Sequence, residues 1–413
     1  MRTLSHESRR RAAVAGMAAL LSASGLVGCR TTKSAGQSGV ASATDGDDTV
    51  AVLLASHGDI DSISELESYI KVSFQKNVGI PLPYWVRPAI SDPAYKLSVG
   101  EVQSQYEVIG ATKYRENTQK QIDALAKALK DAGIKAKTYY GFNFTTPFIA
   151  DTMEQIKKDG IKKVIVFNQG AQCSWASQGE NMEDVRDYLT EHPEFDGDVI
   201  GYREYSNDTR FRDLLHDVII RDVKDKFGDK TPSSQTCVLM ASHGLPTRMT
   251  DDGDPAIKQM KDAFSYVANK AKPYRFYHGF LNDDFIPGAT WAQPEASDAA
   301  KKMRSDGCRN ILMDSRLSFT VNHRATMFDL DTEARQIFGI KDPKQNWQAA
   351  LTWTKPKVEL ANQFDGDPGY AKLLTELTKE ALARKGDLEI IKERGKPVYP
   401  KPPVKEWCES KRL

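Results

Sequence analysis

At 413 residues the chain is long enough for two ordinary domains or one large two-lobed body. Its formal net charge is +1 and 40% of its residues are hydrophobic, which excludes a nucleic-acid-binding charge pattern, a disordered chain and a membrane-spanning body.

The N-terminus reads as a targeting segment. Arg9, Arg10 and Arg11 form a basic start, and the apolar and small-residue run from Ala12 to Val27 is too short to cross a bilayer. It ends in Leu26-Val27-Gly28-Cys29, which resembles a bacterial lipobox and makes Cys29 the expected lipid anchor; Ser8-Arg9-Arg10 faintly resembles a twin-arginine signal. An ordinary cleaved signal with an incidental cysteine is the alternative. Both place the mature protein outside the cytoplasm, and the lipobox makes it a membrane-anchored lipoprotein of the periplasm, outer membrane or cell surface. The Ser-, Gly- and Thr-rich stretch 30–48 reads as a flexible tether.

The fold is expected to begin at Thr49, with a buried apolar strand, Val50 to Leu54, that stops at Ser56-His57-Gly58-Asp59. A helix candidate and a Pro-rich segment, Pro81 to Pro88, follow. Tyr84, Trp85 and Arg87 of that segment suit either a lip over a flat ligand or a structural plug. Apolar spacing predicts a helix over Glu116 to Ala132, a strand over Lys135 to Tyr140, a helix over Phe148 to Lys158 and a strand over Val164 to Phe167.

The second half restates this plan. Cys237 to Gly244 (C-V-L-M-A-S-H-G) echoes Val52 to Gly58 (V-L-L-A-S-H-G), and Pro294 precedes Gly307 by the same interval as Pro147 precedes Gly160. A helix ending in Asp-Gly and then an apolar strand follow each proline. Alternating strands and helices imply parallel sheets covered on both faces. The expected fold is therefore α/β, with two similar Rossmann-like lobes built on parallel four-stranded sheets and a ligand cleft between them. The corresponding segments are 1–29 (leader), 30–48 (tether), 49–232 (first lobe), 233–345 (second lobe) and 346–413 (a C-terminal helix, Tyr370 to Ala383, with a Lys- and Pro-rich tail that wraps the surface or frays).

Of the seven histidines, His57, His243 and His323 sit where a strand gives way to a loop, as metal ligands or proton acceptors would. His6, His192 and His216 carry no such signal, and the role of His278 is open. After His323, Asp329 and Glu333 share one face if the segment is α-helical, as the outer steps of a metal path. Cys173, Cys237, Cys308 and Cys408 show no metal-binding spacing, and the sequence does not pair them.

Several stretches together resemble the ferrochelatase family. Ala241 to Pro255 (A-S-H-G-L-P-T-R-M-T-D-D-G-D-P) is similar to its His-Gly-Leu-Pro signature with the following Gly-Asp-Pro. Gln105 to Gln121 resembles its Ile-Gly-Gly-Gly-Ser-Pro segment, Trp291 and Pro294 its Trp-Leu-Gly-Pro, and Ser318 to Asp331 its Ser-Phe-Val-Ser-Asp-His segment. The resemblance implies a chelatase-type fold that places a divalent metal, Fe²⁺ or Co²⁺, into a porphyrin held between the lobes, with no redox cofactor. It implies a catalytic role for His243 and His323 and metal contacts from His243, His323, Asp329 and Glu333, with His57, where ferrochelatases usually have no histidine, expected as a replacement metal ligand. Tetrapyrrole contacts would come from Tyr84, Trp85, Arg87, Gln172, Ser174 and Trp291. The chain departs from the family at Ala325, where a glutamate is usual, at Asn322, where an aspartate is common, and at Gln172-Cys173-Ser174, which replaces Gln-Tyr-Ser. His57 stands where small cobalt and sirohydrochlorin chelatases often have a histidine. An exported lipoprotein that captures haem without turnover is the alternative, with one of these histidines as axial ligand; a relative with a dead cleft is the third. Nucleic-acid partners are not expected, and the sequence sets no oligomeric state.

Overall fold

The apolar run after the tether forms β1 (Val50–Ser56), buried along its whole length. The computed structural model describes residues 48–77, 80, 82–83, 85–110, 112–282, 289–333, 337–338, 356–392 and 408. The leader, the tether and the Lys- and Pro-rich stretch near the C-terminus fall outside these.

Two helices, α1 (Leu66–Lys76) and α2 (Arg87–Ile109), pack on each other before α3 (Tyr114–Asp131) returns the chain to the sheet. Then come β2 (Ala136–Phe142), α4 (Ile149–Lys158), β3 (Lys163–Asn168), a π-helical turn at Trp175–Gly179, α5 (Glu180–Glu191), β4 (Asp198–Tyr202) and α6 (Thr209–Phe227). β1 lies between β2 and β3, parallel to both, with Val50 opposite Ala136 and Lys163.

The second lobe repeats the pattern with β5 (Thr236–His243), the short α7 (Thr247–Asp251), α8 (Ala256–Lys270), β6 (Arg275–Leu281), α9 (Ala296–Ser305), β7 (Asn310–Asp314) and a π-helix at Ala325–Glu333. β5 is flanked by β6 and β7 in parallel register. The repeat extends to single hydrogen bonds: the carbonyls of Pro147 and Pro294 accept from the backbone N–H of Phe142 and Phe280, each at 2.8 Å. One apolar core runs through both lobes, joining Leu53 and Ile165 to Met240 and Leu312, and each such fully buried side chain stabilises the fold by about 1.5–3 kcal/mol.

The C-terminal residues are more than a surface wrap. β8 (Lys357–Leu360) joins the second sheet beside β7, giving the order β6-β5-β7-β8, all parallel. α10 (Pro368–Leu382) packs on α3 and α6. β9 (Leu388–Ile390) adds an antiparallel edge to the first sheet, whose order is β2-β1-β3-β4-β9. The first sheet thus has the four parallel strands expected plus a fifth. Cys237 pairs with Cys308 inside the second lobe (Cα–Cα 5.9 Å), and Cys173 pairs with Cys408 (5.7 Å), tying the tail to the loop after β3. Among the described residues no helix is long and apolar enough to cross a membrane.

Candidate active site in the inter-lobe cleft

Each lobe ends its first strand in Ser-His-Gly, so His57 and His243 occupy equivalent carboxyl ends, where α/β sheets bind ligands. The backbone conformation demands glycine at the first exit, and both glycines are closely approached. Gly58 has φ +82°, and a Cβ there would lie 2.5 Å from Thr145 Cγ2; at Gly244 it would lie 1.8 Å from Asn282 Oδ1. The tight exits leave both histidines half-buried rather than sealed in the core.

His57 stacks on Phe144 with ring centroids 4.7 Å apart. Its Nε2 lies 3.5 Å from Oε2 of Glu180, a carboxylate only 5% exposed at the start of α5. His243 is fixed through its backbone, whose N–H donates to Ser318 Oγ at 3.1 Å. Phe319 lies edge-on to both other rings, 5.7 Å from His243 and 4.1 Å from His323. The Ala325 N–H donates to His323 Nδ1 at 3.0 Å, which assigns the proton of the neutral ring to Nε2. Burial, followed by the charges of His243, Arg324 and His57, holds the His323 imidazole well below the ordinary histidine range. His323 therefore favours the neutral ring, the form that accepts protons and binds metal.

The lobes are stitched together beside them. The Arg324 N–H donates to Asp59 Oδ2 at 2.9 Å, linking the residue after His323 to the turn after His57. Burial pushes the Asp59 carboxyl up to about 6, opposed by hydrogen bonds from the Tyr106 hydroxyl and from the N–H groups of Ile60 and Arg324.

Several expected contacts are corrected by this geometry. Among the described residues no three His, Cys, Asp or Glu side chains are gathered closely enough to hold a metal, so His57, His243 and His323 share a cleft without forming a cage. Asp329 is ion-paired with Arg324 Nη1 at 3.2 Å. Its segment is π-helical, and i→i+5 bonding widens the turn on which the expected α-helical row of acids depended; the Glu333 side chain lies outside the described residues. Ala325 is 7% exposed and packs into the second lobe's apolar cluster with Leu330.

Arg87 is buried, and its guanidinium donates to the carbonyls of Gln75, Asn77, Ile80 and Leu82, so it staples its own loop and offers nothing to a ligand. Gln172 and Ser174 are also buried. Gln172 Nε2 donates to the Leu317 carbonyl at 2.7 Å, and Ser174 Oγ donates to Asp254 Oδ2 at 2.9 Å. Both pin one lobe to the other in place of touching a macrocycle.

Trp85 is 69% exposed, and Tyr84 lies outside the described residues. Trp291 is bridged to Pro246, its segment held by bonds from Thr247 N–H to the Thr290 carbonyl and from Ala292 N–H to the Leu245 carbonyl, which keeps it beside the His243 loop. His192 and His216 pair with Glu194 and Asp217 near the surface. His278 packs on Phe264, and its Nε2 meets Ser242 Oγ at 2.9 Å.

Glu180 was not among the expected site residues. Its signal was present in the acidic spacing Glu180, Glu183, Asp184 and Asp187, which reads as a solvated helix face. The structure buries the first three: Asn143 Nδ2 and Lys76 Nζ both reach Asp184, at 2.7 and 2.6 Å.

The chain is similar to several known proteins. The family model described as Ferrochelatase matches residues 49–346. The mitochondrial ferrochelatase of Bos taurus is 23% identical over 348 residues, 81% of this chain and 77% of that protein. The chloroplastic ferrochelatase-2 of Hordeum vulgare is 25% identical, over 73% of this chain and 63% of that protein. Among solved structures, SirB from Bacillus subtilis with Fe³⁺ aligns with 82% of this chain and 96% of its own, at 11% identity and a TM-score of 0.45.

Proposed function

Because the chain belongs to the ferrochelatase family, we propose that it is a tetrapyrrole metal chelatase that inserts a divalent metal, Fe²⁺ or Co²⁺, into a porphyrin-type macrocycle bound between the lobes. The observation that carries this reading is the meeting of His57, His243 and His323 at the carboxyl ends of two equivalent sheets, with His323 held neutral. Insertion removes two protons from the pyrrole nitrogens while a cation enters, and neutral imidazoles supply both the proton acceptor and the transient ligand. His243 is the acceptor in this reading. His57, backed by the Glu180 carboxylate, supplies the acid–imidazole pairing that the methyl of Ala325 does not. Trp291, beside the His243 loop, and the exposed Trp85 offer apolar area to a flat ring. Metal insertion into a porphyrin, followed by its visible spectrum, tests the reading: His243→Ala is expected to lower the rate by about 100-fold or more.

The methyl at Ala325 and the lack of a gathered three-ligand set among the described residues favour a second reading, capture of haem or another tetrapyrrole without turnover. In that case haem titration shifts the Soret band, one histidine variant abolishes the shift, and no metal is inserted.

The leader places the working protein outside the cytoplasm, anchored through Cys29. Two disulfides among the described residues support this, since such bonds persist in oxidising compartments. Cys29→Ser is expected to move the protein from the membrane to the soluble fraction; unchanged membrane association contradicts the anchor.

A further inference from the structure

The loop between β7 and the second π-helix supplies contacts that hold the cleft histidines. Ser318 Oγ accepts the His243 N–H, and the Phe319 ring meets both His243 and His323. The Leu317 carbonyl accepts from Gln172, and the Thr320 carbonyl accepts from Gln121 Nε2 at 2.8 Å, both donors lying in the first lobe. Ser315 turns the loop, its carbonyl accepting the N–H groups of Ser318 at 3.0 Å and Phe319 at 2.9 Å.

The base of this loop is charged and sealed. Asp314, Arg316 and Asp222 are each no more than 1% exposed. Arg316 donates its backbone N–H to Asp314 Oδ1 and its Nε–H to Asp314 Oδ2, both at 2.8 Å, and Nη2 also meets Oδ2. Its Nη1 forms an ion pair with Asp222 Oδ2 at 2.8 Å, and its guanidinium lies 5.9 Å from the centre of the Phe364 ring. Asp222 belongs to α6, which closes the first lobe's segment and packs against β7. One guanidinium therefore joins the end of a second-lobe strand to a first-lobe helix.

Desolvating one cation and two anions offsets most of their attraction, so such a triad adds little stability beyond apolar side chains of the same volume. What it supplies is geometry, because a planar fork that meets two carboxylates and closes on its own backbone is held in one orientation. Each of the next four residues, Leu317 to Thr320, carries one of the links above. We propose that Arg316 is a positioning residue of the cleft: through Asp314 and Asp222 it fixes the 315–320 loop and, through Ser318 and Phe319, the placement of His243 and His323. The kinetic part of this assignment rests on the chelatase reading, and the structural part does not.

The test pairs kinetics with nitrogen NMR of the histidine rings in the full-length protein, the latter without metal or macrocycle. Arg316→Lys keeps the charge but loses the fork. Asp222→Leu combined with Asp314→Leu and Arg316→Met removes all three charges together and leaves no buried ion unpaired. Both variants are expected to fold, with the ring signals of His243 and His323 displaced and those of His192 and His216 unmoved. Porphyrin metallation should show kcat lowered by about tenfold or more, with KM changed by less than about twofold. Wild-type ring signals or a wild-type kcat in either folded variant overturns the proposal. So does failure of both variants to fold, which makes the triad a stabilising element alone. If the wild type inserts no metal, the chelatase reading fails by itself, and the ring signals still decide whether Arg316 positions the histidines.

Discussion

Position 325 has a methyl where the family that the chain resembles carries a glutamate, and a carboxylate that meets the cleft elsewhere is Glu180, 3.5 Å from His57. If Glu180 stands in for the missing acid, Glu180→Gln slows metal insertion by about tenfold in the wild-type background and much less in an Ala325→Glu background. Steady-state rates of the two single variants and the double variant measure this; equal losses in both backgrounds contradict the substitution of one acid for the other. His278 carries a different prediction. Burial, with a smaller contribution from Lys261, holds its imidazole at about 4 against an ordinary 6.5. Between those values the unfolded chain binds a proton that the folded chain does not, so this residue lowers stability as pH falls through the window, by up to about 3 kcal/mol. Urea unfolding at about pH 7 and about pH 5 should therefore show a smaller pH dependence in His278→Phe than in the wild type. An identical dependence contradicts the shift.

Among the elements, the parallel strands and the crossover helices were legible because period and length specify them locally: each predicted strand and helix recurs within a few residues of its expected bounds. The two His-Gly exits were legible for the same reason, as repeated sequence at repeated strand ends. The segment after His323 was not. Its apolar spacing fits an α-helix, and the π-helical bonding depends on the Ala325–His323 contact and on packing into the second lobe, neither of which is encoded in spacing. Arg87, Gln172 and Ser174 misled for a related reason: a polar residue near a predicted cleft reads as a ligand contact until its long-range partners are known. Arg87 binds carbonyls up to twelve positions away, whereas Gln172 and Ser174 bind partners in the other lobe. Because the planar guanidinium reaches four carbonyls and an ammonium cannot match that geometry, Arg87→Lys is expected to destabilise the protein by about 2 kcal/mol. Chemical denaturation measures it, and a loss within experimental error contradicts the staple.

Across the whole molecule, the repeat builds two sheets and the non-repeated parts hold them at one spacing. Asp254, at the start of α8, accepts from Ser174 Oγ and from the N–H groups of Trp175 and Ala256, joining the lobes at a buried point. The C-terminal segment gives β8 to one sheet and β9 to the other, with α10 between them, so the chain's end closes the structure that its middle opens. Such a frame keeps His57, His243 and His323 around one cleft. The claim that this cleft performs metal insertion is tested most directly by the initial rate at which purified protein converts free-base porphyrin to its metal complex under anaerobic Fe²⁺ or Co²⁺. A rate above the protein-free blank that falls to the blank in His243→Ala is the predicted result. A wild-type rate equal to the blank with both metals, despite a porphyrin spectrum that shifts on binding, would contradict it.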